Sequence, residues 1–186
     1  MRPAARVAGA AIALILSVGS GAAAEQPGAG LDAVIAEASA SAGVPQAWLR
    51  AVIGAESGGD PLAVSRAGAM GLMQLMPGTW REQRIRLGLG NDPFNVRDNL
   101  LAGAHYLRQM WDLYGPEGFL AAYNAGPGRY EEHLRGRPLP PETRAYVARL
   151  APVLGPDFPI GAKPGPQALS WTHSPLFPDL AAVAEE

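Results

Sequence analysis

Apolar residues between positions 31 and 154 recur at steps of three and four, and no stretch sustains period-two alternation of apolar and polar residues. That pattern restricts the chain to helices, each turning one apolar stripe toward a shared core. Glycine and proline cut it into segments. Leu31, Val34, Ile35, Ala38 and Ala42 predict a first helix, ended by Gly43. Pro45 opens a second, on which Trp48, Val52 and Glu56 stand four apart and share a face. Thr79 is placed to cap a helix from Trp80 to about Leu87, and Asn95 one from Val96 to Tyr114. Gly115-Pro116 stops that helix, and shorter segments come after it over Glu117–Ala122 and Tyr130–Leu134. A final helix spans Glu142–Leu154. The expected fold is a single all-α domain with little or no sheet.

The flanks have a different texture. Arg2 and Arg6 precede an apolar run from Val7 to Val18, and small residues come next, ending in Ala22-Ala23-Ala24. A basic start, a short apolar stretch and an A-x-A site read as a secretory signal peptide over residues 1–24. The apolar run is short against the roughly 20 residues a membrane span needs, so no stable span is expected after processing. Residues 25–30 read as a linker, 31–154 as the domain and 155–186 as a tail, with prolines at 156, 159, 164, 166, 175 and 178. The chain contains no cysteine, which excludes disulfides and thiolate metal sites. His105, His133 and His173 lack metal-ligand spacing, so no metal or other cofactor is expected. A net charge of −2 gives no electrostatic reason to expect nucleic acid as a partner, and no phosphate-binding glycine motif is present.

Chemistry concentrates where polar and small residues interrupt the helices. Glu56 closes the second helix just before Gly58-Gly59-Asp60-Pro61. The negative end of the helix dipole and partial burial both disfavour a carboxylate there and push its pKa up. A carboxyl group kept protonated near neutral pH suits a general acid. Three more stretches stand out: Gly71-Leu72-Met73-Gln74, Ala122-Tyr123-Asn124-Ala125-Gly126 and Glu142-Thr143-Arg144-Ala145-Tyr146-Val147. Together the four supply an acid, a hydroxyl, amides and phenols, the inventory of a carbohydrate site. No second carboxylate is expected from the four stretches; the acidic residue nearest to Glu56 in sequence is Asp60, beyond the Gly-Gly turn.

The ordered set Glu56-Ser57, GLMQLMP, AYNAG and ETRAYV resembles the soluble-type lytic transglycosylases of glycoside hydrolase family 23. The resemblance runs from about Leu31 to Leu154. It implies a goose-type lysozyme-like helical fold with a groove, and non-hydrolytic cleavage of peptidoglycan between N-acetylmuramic acid and N-acetylglucosamine. Glu56 would protonate the glycosidic oxygen and then, as base, deprotonate the muramoyl 6-hydroxyl, which closes a 1,6-anhydro ring. An intramolecular nucleophile removes the need for a second carboxylate to activate water. The resemblance also implies that Ser57 bonds near the acid or the substrate acetamido group, and that Met73 and Gln74 line the groove. Tyr123 and Asn124 would bind glycan near the cleavage point, and Tyr146 would sit within reach of Glu56.

Two alternatives stand beside this expectation: a hydrolytic muramidase on the same fold, and a non-catalytic wall-binding component of an envelope-spanning machine. The implied partners are peptidoglycan strands and a secretion, conjugation or flagellar machine. The implied location is the periplasm.

Overall fold

A computed structural model describes residues 27–154, so the expected leader, residues 25–26 and the tail lie outside the described residues. Six helices occur in order: α1 (Pro27–Ala42), α2 (Gln46–Glu56), α3 (Pro77–Leu87), α4 (Val96–Ala125), α5 (Pro127–Leu134) and α6 (Pro141–Leu154). Among the described residues the only β pairing is two isolated bridges, Val64 with Met70 and Met70 with Leu75, so the fold is all-α. No described helix is long and apolar enough to cross a membrane.

Most boundaries follow the periodicity, and the departures have local causes. The Asn95 side chain caps α4 by accepting from the Asp98 N–H at 3.0 Å. Helix α3 starts at Pro77, two residues before the expected Thr79 cap, because proline fits the first helical turn and lacks the N–H that would go unpaired there. Helix α1 begins at Pro27, so residues 27–30 are helical where a linker was expected. Helix α5 likewise begins at a proline, Pro127, three residues ahead of Tyr130.

Helix α4 is the spine. It packs against α1, α3, α5 and α6, while α2 packs against α1 and α6. It is broken at Gly115, whose φ of 65° and ψ of −170° no helical residue adopts, with Pro116 next in the chain. An aromatic knot spans the break. Trp111 lies before it and Phe119 after it, with ring centroids 5.0 Å apart, and Trp48 from α2 stacks on Phe119 at 4.9 Å. Trp48 also meets Trp111 at 5.1 Å. With Leu49, Val52 and Ile53 it forms the buried face of α2. Burying rings of this size dominates local packing energy, and the tilted and stacked geometries add to it.

Candidate active site

Glu56 is the last residue of α2, and its burial places a carboxyl at the rim of the core. The segment between α2 and α3 folds back over it. Ser57 fixes the start: its hydroxyl donates to the Leu72 carbonyl at 2.9 Å, with the Ile53 carbonyl also in reach at 3.2 Å, and accepts from the Gly59 N–H. Paired backbone bonds between Met70 and Leu75, at 3.0 and 3.1 Å, close the Gly71–Gln74 turn.

Asn99, 1% exposed, fastens this turn to α4. Its Oδ1 accepts from the Met73 N–H at 2.8 Å, and its Nδ2 donates to the carbonyls of Met70 (3.1 Å) and Pro93 (2.8 Å). Gly71 is needed where the two meet. Its φ is 74°, and a Cβ there would lie 2.5 Å from Asn99 Nδ2. At Gly103 a Cβ would lie 2.4 Å from Met73 Cβ, so the turn presses directly on the helix backbone.

A cavity of about 870 Å³ opens beside these elements. Glu56, Gln74, Tyr123, Asn124 and Tyr146 all line it, so five of the seven residues singled out from sequence share one pocket. Gln74 is the one described non-glycine residue with positive φ, at 46°. Its Nε2 donates to the carbonyls of Ala63 and Gly71, at 3.0 and 2.9 Å, so its side-chain carbonyl is the group it can offer a ligand. Non-glycine residues held in this region store strain, and such strain concentrates at functional sites. Tyr123 is buried, and its hydroxyl donates to the Met73 carbonyl at 2.8 Å; what it presents is ring, not a free phenol. Its ring leans on Tyr106, 5.3 Å away, whose hydroxyl burial pushes up to about 12.

Two expectations need correction. Met73 does not line the groove: its side chain is fully buried against Gly103, and it serves through its backbone N–H and carbonyl. The Ser57 hydroxyl bonds beside the acid, to backbone groups of the α2 end and the turn. The second correction concerns charge. Glu142, exposed on the first turn of α6, lines the same pocket as Glu56, so a second carboxylate does come from the motif stretches.

Burial pushes the Glu56 carboxyl above the usual carboxylate range. Tyr146 and the Arg149 cation hold it back, and the negative charge of Glu142 adds to the rise. The Tyr146 hydroxyl is buried and completes no hydrogen bond of good geometry, yet it lies close enough to Glu56 for each to perturb the other. A buried phenol beside a carboxyl whose pKa is raised is poised for a ligand oxygen or for the carboxylate itself. Asn99 and Arg149 were not anticipated. Asn99 was visible as a polar residue four positions before Gly103 on the buried stripe of α4. Among the described residues no cluster of His, Cys, Asp or Glu stands ready to hold a metal ion.

The sequence profile of the Transglycosylase SLT domain matches residues 33–140. The transglycosylase of Enterobacteria phage PRD1 is 31% identical over 156 residues, covering 80% of this chain and 57% of the phage protein. The soluble lytic murein transglycosylase of Escherichia coli K12 is 36% identical over 98 residues, which is 49% of this chain and 15% of that one. Among solved structures, an inactive mutant of the lytic transglycosylase Slt from Pseudomonas aeruginosa superposes with a TM-score of 0.58 at 32% identity, over 66% of this chain and 23% of that one. This chain therefore spans less than two thirds of each of these relatives.

Proposed function

Since the chain belongs to the transglycosylase SLT domain family, we propose that it is a peptidoglycan lytic transglycosylase with Glu56 as its acid and base. The observation that carries this reading is a partly buried carboxyl, held toward its protonated form, in a pocket large enough for sugar rings and edged by Gln74 and Asn124.

The protonated Glu56 gives its proton to the oxygen bridging N-acetylmuramic acid and N-acetylglucosamine as the bond from that oxygen to the anomeric carbon breaks. The muramoyl 6-hydroxyl attacks the same carbon and gives its proton to Glu56, which ends as it began. No water enters the products. Asn124 and the Gln74 carbonyl bind glycan hydroxyl and acetamido groups, the Tyr123 ring forms part of the wall, and Tyr146 donates to Glu56 in its ionised interval. Proximity of the 6-hydroxyl replaces activation of bulk water.

A hydrolytic reading is favoured by one observation, the presence of Glu142 on the same pocket. Two carboxylates can flank a glycosidic bond and activate water between them. Mass spectrometry of digested sacculi separates the two. Wild type is expected to release muropeptides ending in anhydromuramic acid without uptake of oxygen from ¹⁸O-water, and Glu56→Gln is expected to release none while remaining folded. Reducing ends carrying the heavy oxygen would transfer the assignment to a muramidase. Binding to sacculi without any release would point to a wall-binding component. The substrate places the working protein outside the cytoplasm, in the periplasm, where residues 1–24 would direct it. Local opening of the wall for an envelope-spanning machine is the role we assign to a domain of this size.

A further inference from the structure

Resting on that reading, we infer that Arg149 is a positioning residue for the reaction: from α6 it caps the C-terminal end of α2 and holds the Glu56 carboxylate formed at mid-reaction. The last carbonyls of a helix have no partner within it, and cations are favourable there. Helix α2 carries no basic residue in its own last turn. Two of its terminal carbonyls are nevertheless served. Ile53 accepts from Ser57, and Ala55 accepts from Arg149 Nη2 at 3.3 Å, across 94 positions of sequence. The guanidinium lies 5.8 Å from the centre of the Tyr146 ring, the same ring whose hydroxyl faces Glu56. Arg149 thus touches the residue before the acid and the residue beside it, and lines the pocket with both.

The charges around Glu56 make this placement consequential. Glu142, Tyr146 and Arg149 face it from α6, and Tyr123 from α4. Of these only Arg149 is a cation. Once Glu56 has given up its proton, its negative charge sits at the negative end of α2 with Glu142 on the same pocket. Arg149 offsets both. It keeps the carboxylate accessible as a base while burial favours the protonated acid beforehand.

Arg149→Gln removes the charge while keeping a polar amide on a shorter side chain; Arg149→Lys keeps the charge. Arg149 is solvent-facing, so folding is not at stake in either variant. The test reads the pH profile of kcat/KM on solubilised glycan strands and, separately, the Glu56 side-chain carboxyl titration by ¹³C NMR without substrate. Arg149→Gln is expected to move the alkaline limb and the carboxyl titration to higher pH. Activity on the alkaline side, relative to each protein's own maximum, then rises about two- to fivefold, the range of a solvent-screened ion pair. Arg149→Lys leaves both midpoints near wild type. A uniform loss of activity with neither midpoint moved would overturn the inference and leave Arg149 a purely structural cap. If wild type forms no anhydro ends, the proposed reaction fails, and the carboxyl titration still decides the role of Arg149.

Discussion

Replacing Asn99 tests whether the Gly71–Gln74 turn is held by one side chain. Asn99→Ala removes hydrogen bonds of 2.8, 3.1 and 2.8 Å at a position 1% exposed. A stranded buried N–H costs about 1–3 kcal/mol and a stranded carbonyl about 1 kcal/mol; the Met73 N–H and the Pro93 carbonyl are the groups left, because the Met70 carbonyl keeps the Leu75 N–H. The sum, about 2–4 kcal/mol, is a large fraction of the roughly 5–15 kcal/mol that holds a domain of this kind together. Urea unfolding at pH 7 is expected to register that loss with an unchanged m-value. Asn99→Asp sharpens the test. It keeps the acceptor for Met73 but aims a carboxylate at the Met70 and Pro93 carbonyls, which raises its folded-state pKa above the unfolded value. The charged form is therefore the one that the fold disfavours. The deficit of Asn99→Asp relative to wild type is small below about pH 4, where a neutral acid donates to one carbonyl, and grows as pH rises through the carboxyl range. An Asn99→Ala loss under about 1 kcal/mol, or an Asn99→Asp deficit that ignores pH, would refute the reasoning.

Three further outcomes are expected from the same geometry. Glu56→Gln should unfold at higher urea than wild type at pH 7. The raised carboxyl destabilises the fold above the ordinary carboxyl pKa, by about 1.4 kcal/mol per unit of elevation, so the gap between the two closes as pH falls below that range. Gly103→Ala sets a Cβ 2.4 Å from Met73 Cβ and is expected to cost about 1–3 kcal/mol by calorimetry; trimming Met73 to Ala does not rescue it, because the clashing atom remains. Tyr123→Phe strands the Met73 carbonyl and is expected to lose about 1–2 kcal/mol of stability, with kcat reduced far less than in Glu56→Gln; equal stability to wild type would mean that the hydroxyl is not holding the turn.

The helical architecture was legible because burial follows the 3.6-residue stripe. Trp48, Val52 and Leu107 are as buried as their spacing demands, and Gly115-Pro116 breaks α4 where the pattern does. Helix starts were harder. The Pro27 and Pro77 turns carry no apolar period, and α3 as a whole buries only Trp80 and the polar Gln83, so its start is set by the proline rather than by an apolar stripe. Within the site, the motif stretches located the pocket but not the division of labour. Gln74 and Asn124 face the cavity, Met73 is committed to tying the turn to α4, and Tyr123 does both, with its ring on the cavity wall and its hydroxyl on the turn. A motif records which residues are required, not whether side chain or backbone does the work. Arg149 was invisible because its partner carbonyl belongs to a residue 94 positions away, a distance no local period reports.

The knot of Trp48, Trp111 and Phe119 locks the bend in α4 to the helix that ends in Glu56. A shift of the α4 bend is thereby passed through three packed rings to the end of α2, so the carboxyl at that end and the stretch of cavity wall beyond the bend move together rather than independently.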